Sequence, residues 1–305
     1  MVIGVSVPQA NDILGASYQI YRHVATHDTV LRTVSYSLPK ALYGYIQTVS
    51  PTTYFGSPLT QPLIRPGEVA AERGNLRLVE PVRELYGREK FVTPEYIRWL
   101  YKTEGYVPAA ANRNSIGIAG YLMEYPSLQD LRAFMTKFRA EGQDATFIGL
   151  WLNGGTSDPS NPGTEANLDL QLSEAITYPT RNVYYLTGGV WGAATDPYLN
   201  WLAYVLAQIT IPQTISTSFS SDESDVPPDF ADELCKLFAV LGVRGVSVLF
   251  STGDWGVGGG DCVVPDGSGD GRFLPQFPAS CTSGLFFTVQ RRHTDLVTDK
   301  ITTLS

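Results

Sequence analysis

Between about residue 93 and residue 253 the chain alternates amphipathic stretches with short, almost wholly apolar runs, and that alternation leaves few folds open. The runs SIGIAGYL (115–122), TFIGLWLNG (146–154), VYYLTGG (183–189), QTISTSFS (213–220) and GVSVLFSTG (245–253) read as strands. Most lack the polar–apolar alternation of a half-exposed strand, so they are expected to be buried on both faces. The segments between them read as helices. Thr93–Pro94–Glu95 caps one that runs through Trp99 and Tyr101. The others are 127–142, stopped by Gly142, then 163–178, DPYLNWLAYVLAQ (196–208) and 227–242. Buried strands interleaved with helices predict an α/β fold, a parallel sheet covered on both sides. Its chemistry should lie at the carboxyl ends of the strands.

The first 57 residues have a different texture. SYQIYRHV (17–24) and TVLRTVSYSL (29–38) alternate polar and apolar residues, as a β-hairpin does, and Pro39 opens a short helix over KALYGYI (40–46). A unit this small needs a partner to pack on. Residues 58–92, with prolines at 58, 62, 66 and 81 among charged residues, read as an exposed linker open to cleavage. The expected division is therefore 1–57, 58–92 and 93–305.

Composition narrows the partners. A net charge of −8 argues against nucleic acid and anionic membranes. No run approaches the ~18 uncharged apolar residues of a membrane helix. The start, MVIGVSVPQAND, lacks the basic segment and long apolar run of a signal peptide. The three cysteines are too few for a disulfide framework, and without a CxxC or clustered histidines they suggest no metal. Cys262 and Cys281 flank a Gly/Pro/Asp-rich stretch and could staple one loop, whereas Cys235 reads as a buried free thiol.

Three places could carry chemistry. Glu165 and Asp169 are spaced i,i+4 on a helix, which puts two carboxylates on one face about 5–6 Å apart at Cβ. Two acids that close share a proton, so one becomes a tuned general base. The ordinary reading of such a pair is a solvated helix face, but Leu168, Leu170 and Leu172 crowd this one. Next, Ser251–Gly260 is a glycine-rich loop after an apolar strand. Its Asp254, if protonated, could donate to a developing oxyanion. A phosphate loop is excluded, since no Gly-Lys-Ser/Thr follows. A capped turn is the plainer alternative. Last, the Ser/Thr-rich segment IPQTISTSFSSDES (211–224) could bind an extended peptide or be a plain strand entering a polar loop.

Taken in order, these segments resemble the sedolisin family, serine-carboxyl peptidases with a subtilisin-like fold, and most of all its tripeptidyl-peptidase branch. SVPQANDILGASYQIYRH through IQTVSPTTYFG is similar to the end of that family's propeptide, and VTPEYIRWLYKTEGY (92–106) to the start of the mature enzyme. TEANLDLQ resembles the segment with the catalytic Glu and Asp. STGDWGVGGGDC and LPQFPASC resemble the oxyanion-aspartate loop and its sequel. The resemblance implies a subtilisin-like parallel sheet with helices on both faces, incomplete here, after part of an α+β propeptide domain. It implies Glu165 as the base for a serine nucleophile, Asp169 as its orienting partner and Asp254 as the oxyanion donor. Ser216, Ser218, Phe219 and Gly253 would face substrate. The implied partners are a peptide or protein substrate and the chain's own propeptide. The implied home is extracellular or lysosomal/vacuolar, although no Asn-x-Ser/Thr sequon lends support. A carboxylate base sets acid-pH activity.

The chain also departs from the family pattern. The family's Gly-Thr-Ser-x-Ser-x-Pro serine motif is absent, and so are the ligands of its calcium site, which lies nearer the C-terminus. Gly154–Gly155–Thr156–Ser157–Asp158–Pro159 mimics the serine motif but precedes Glu165, against the family order, and Thr282–Ser283–Gly284 lacks its glycines and proline. Trp255 stands where a small residue is expected. The expectation is a chain truncated at both ends, inactive as written, unstable, and diverging after Cys281. The alternatives are a non-catalytic peptide-binding protein on the same fold and a two-carboxylate glycosidase. The last gives the glycine-rich aspartate loop no role.

Overall fold

A computed structural model describes residues 3–22, 24, 27, 29–46, 48–55, 93–109, 113–122, 124–158, 161–188, 197–253 and 275–281, with backbone alone for 286–289. The expected linker, 58–92, lies wholly outside them.

The N-terminal unit begins with helix α1 (Val7–Leu14), which the sequence reading missed. A Ser6–Gln9 capping box and a proline in the first turn start it, and Gly15 in the left-handed conformation ends it. The expected hairpin forms from β1 (Gln19–Arg22) and β2 (Thr29–Arg32), paired antiparallel. The helix expected over 40–46 is only a 3-10 turn, Lys40–Leu42. Glycine at 44 and the absence of any buried residue in that turn leave nothing to extend it.

Helix α2 (Pro94–Leu100) begins as expected, with the Thr93 hydroxyl accepting from Tyr96 N at 3.2 Å. Strand β3 (Ser115–Tyr121) follows, then α3 (Leu128–Phe138), β4 (Phe147–Leu152), α4 (Thr164–Thr177), β5 (Arg181–Thr187) and α5 (Pro197–Ala207). Strand β6 (Thr214–Thr217), the short β7 (Ser221–Asp222), α6 (Pro228–Val243), β8 (Ser247–Ser251), the short β9 (Gln276–Phe277) and β10 (Phe286–Val289) complete the order. Helix α3 stops at Phe138, four residues before the glycine expected to stop it.

Six strands form one sheet in the order β10-β8-β6-β3-β5-β4, every neighbouring pair parallel. Helices α3 and α4 cover one face through Leu131, Met135, Ala166 and Leu170, packed around Ile118, Tyr184 and Leu186. Helices α5 and α6 cover the other through Trp201, Leu202, Phe238 and Leu241, around Ile215, Val248 and Phe250. The segment after Cys281, expected only to diverge, contributes the edge strand β10 beside β8.

The cysteine expectation is corrected. Cys281 bonds to Cys235, with Cα atoms 5.5 Å apart, and not to Cys262. Cys235 is therefore no free thiol. It lies on α6 within reach of the short segment that carries β9, a neighbourhood created by tertiary packing. Cys262 is outside the described residues.

The N-terminal unit touches the sheet domain through Tyr54. The ring stacks on Phe230 of α6 at 5.1 Å between centroids. The segment leading to it is held by the Tyr18 hydroxyl on Pro51 O at 2.6 Å, Thr33 N on Thr52 O at 3.1 Å, and buried Arg32, which donates to Tyr54 O.

Candidate active site

Strand order decides where the site lies. After β3 the chain crosses to β4 and returns through β5, whereas β6, on β3's other flank, leads away to β8. Connections leave β3 and β6 in opposite directions, and such a switch point opens a crevice at the carboxyl ends. A small cleft, partly open to solvent, lies there. The end of β3, the residues just beyond β6 and the first two turns of α4 line it.

Helix α4 brings the two expected carboxylates to this cleft. Ala166, Leu170 and Glu174, one turn apart, form its buried stripe. Glu165 and Asp169 sit one residue before the first two of these, so both lie half-buried at the lip of the core. Glu165 in the first turn also faces the positive end of the helix dipole. The Ser218 hydroxyl donates to Asp169 Oδ1 at 2.8 Å, tying the helix to the end of β6. Tyr184, on β5 beneath the pair, is fully buried. Burial raises its phenol well above the usual range, and Asp169, Glu124 and Glu165 raise it further. One hydroxyl thus lies within electrostatic reach of three carboxylates.

The four residues expected to meet substrate are placed differently. Ser216 lies in β6 between Ile118 and Leu249, on the face opposite buried Ile215. Ser218 lines the cleft with its hydroxyl on Asp169. Phe219 is 3% exposed and packs against Tyr121 and Tyr198, and its carbonyl accepts from the Tyr198 hydroxyl, so both ring and carbonyl belong to the wall. Gly253, after β8, has φ of +81° and stands beside Gln276, which accepts from Ser220 at 3.0 Å. Asp254 and Trp255 lie outside the described residues.

Sequence reasoning missed Glu124 and Tyr184. Glu124 follows β3 in the loop against the start of α4, and its signal was faint: one acid just past a strand end. Tyr184 stands among apolar neighbours in a buried strand and read as core.

The first 55 residues match the family model "Pro-kumamolisin, activation domain". Over 301 residues the chain is 31% identical to tripeptidyl-peptidase SED2 of Arthroderma otae, covering 90% of this chain and 48% of that protein. It is 32% identical to probable tripeptidyl-peptidase SED3 of Arthroderma benhamiae, covering 91% and 48%. These matches support a sedolisin-family chain related to tripeptidyl-peptidases. Among solved structures it is similar to a Pseudomonas sedolisin, a serine-carboxyl proteinase complexed with pseudo-iodotyrostatin. The TM-score is 0.50 at 23% identity, over 65% of this chain and 52% of that one, which supports the sedolisin-like fold. The chain spans about half the length of the curated relatives it matches.

Proposed function

We propose that this chain carries the carboxyl half of a serine-carboxyl peptidase site of the tripeptidyl-peptidase type, preceded by the end of its activation domain. The division would be activation unit 1–57, linker with the activation cleavage region 58–92, and peptidase domain from 93. The observation that carries the reading is the bond from Ser218 to Asp169 at the mouth of the switch-point cleft.

In this scheme Asp169, whose Oδ1 accepts from Ser218, shares a proton with Glu165. Glu165, freed of that proton, takes one from the attacking serine as general base. Asp254, kept protonated by acid pH, would donate to the oxyanion. Peptide would lie across the carboxyl end of β6, beside Ser218, and the activation unit would be the chain's own ligand, held through Tyr54. Secretion or a lysosomal/vacuolar home follows from the family alone. Calcium belongs to the family pattern, but among the described residues no group of three or more His, Cys, Asp or Glu is placed to hold a metal. No step here depends on it.

The 305-residue chain contains no Gly-Thr-Ser-x-Ser-x-Pro. Incubated at acid pH with an oligopeptide bearing a free N-terminus, it should release no tripeptide above background. Release that disappears in Glu165→Gln would overturn this by locating a nucleophile within the chain. Reading the coding DNA past the Cys281 codon in all frames separates the two main readings. The serine motif there, with tripeptide release by its product, supports the peptidase. Peptide binding without that motif supports a non-catalytic groove.

A further inference from the structure

The cleft holds a third carboxylate that this scheme does not use. Glu124 lines it, half-buried, in the loop after β3. Its Oε2 lies 3.5 Å from Ala166 N, at the outer limit of a hydrogen bond to the first turn of α4. That turn begins at Gly163, which brings no capping side chain of its own. A Cβ at Gly163 would fall 1.7 Å from Glu124 Oε2 and 3.1 Å from Glu124 Cα. Glycine at the cap is therefore what lets a carboxylate from another element take the capping place. The loop is fastened around it. Gly163 N donates to Tyr125 O at 2.9 Å, Ser127 N to Asn167 Oδ1 at 2.8 Å, and the Tyr184 hydroxyl to Glu124 O at 3.2 Å.

We infer that Glu124 is a positioning residue for the Glu165–Asp169 pair: its carboxylate fixes the first turn of α4 over the cleft and adds a negative charge against which the pair titrates. The inference rests on the catalytic reading of that pair. Glu124 comes from the β3 loop, Tyr121 from the end of β3, Tyr184 from β5 and Ser218 from beyond β6. Asp130 of α3 accepts from Asn167 at 2.8 Å, and α2, packed on α4, carries Glu95 and Arg98. With Glu124 ionised, the pair holds its shared proton to higher pH.

The test is a carbon-13 carboxyl NMR titration of Glu165 and Asp169 in the full chain, in wild type, Glu124→Gln and Glu124→Ala. Glu124→Gln keeps an oxygen acceptor for the helix and removes the charge. It should lower the upper titration step of the pair by at least about half a pH unit. Glu124→Ala should do the same and also speed amide exchange at Ala166. If that variant does not fold, Glu124→Gln alone decides. A coupled pair whose upper step is unchanged in Glu124→Gln overturns this inference and leaves the catalytic reading standing. A pair already uncoupled in wild type overturns both.

Discussion

Raising the pH from about 4.5 to about 7.5 is expected to remove about 3 kcal/mol of folding stability through one side chain, Glu174. Glu174 lies on the buried stripe of α4, 3% exposed. Its Oε2 has no hydrogen-bond partner among the described residues. Burial pushes its carboxyl from 4.5 up to about 7, and a hydrogen bond with Asn182 recovers only part of that shift. Asn182 is itself committed, accepting from Ser173 at 2.6 Å and donating to Thr177 Oγ1 at 3.1 Å and Thr180 O at 3.2 Å. Below pH 4.5 both folded and unfolded chains are protonated here, and the group is neutral toward folding. Between 4.5 and 7 the unfolded chain ionises while the folded chain stays protonated, so stability falls as pH rises. Above about 7 the loss is complete. The measurement is denaturant unfolding across this range for wild type and Glu174→Gln. The difference between their pH slopes isolates this residue from all other carboxylates. Parallel slopes would refute the prediction. The direction agrees with the acid-pH activity proposed above: α4, which carries Glu165 and Asp169, is seated most firmly at low pH.

Breaking the Cys235–Cys281 bond is expected to destabilise the folded chain by about 4 kcal/mol, the chain-entropy value for a loop of this length. The bridge closes 46 residues and joins α6 to the segment after β9. Between its ends run β8 and the glycine-rich stretch with Asp254, so the bridge holds both flanks of that stretch in place. Unfolding of Cys281→Ser against wild type, both without reductant, gives the number. Non-reducing peptide mapping checks the pairing. A Cys262–Cys281 peptide, or a change below about 1 kcal/mol, would contradict it.

Much of this was legible because it is local. The strands from 115 to 251 announce themselves as apolar runs, and i,i+4 spacing alone put Glu165 and Asp169 on one helix face. Helix α1 carried a local signal too, since Ser6, Pro8 and Gln9 make a helix start, but the sequence reading weighed that segment only against a signal peptide. What was illegible is non-local. Glu124 and Gly163 are 39 positions apart, and nothing in either neighbourhood says that a carboxylate from one fills the missing cap of the other. The disulfide failed for the same reason. Sequence distance favours the shorter 262–281 loop, whereas bonding requires proximity of Cα atoms that only the packing of α6 provides. Phe219 looked like a substrate contact within a polar strand end. Its burial depends on Tyr121 and Tyr198 arriving from two other elements.

The central claim is that Glu165 and Asp169 act as one acid–base unit held by Ser218. The most direct measurement is the titration of both carboxyls in wild type and Ser218→Ala. The account predicts two steps more than about one pH unit apart, with the Asp169 step moving upward once the hydroxyl that favours its charged form is gone. Two independent steps near the ordinary carboxylate value, unmoved by Ser218→Ala, would contradict it.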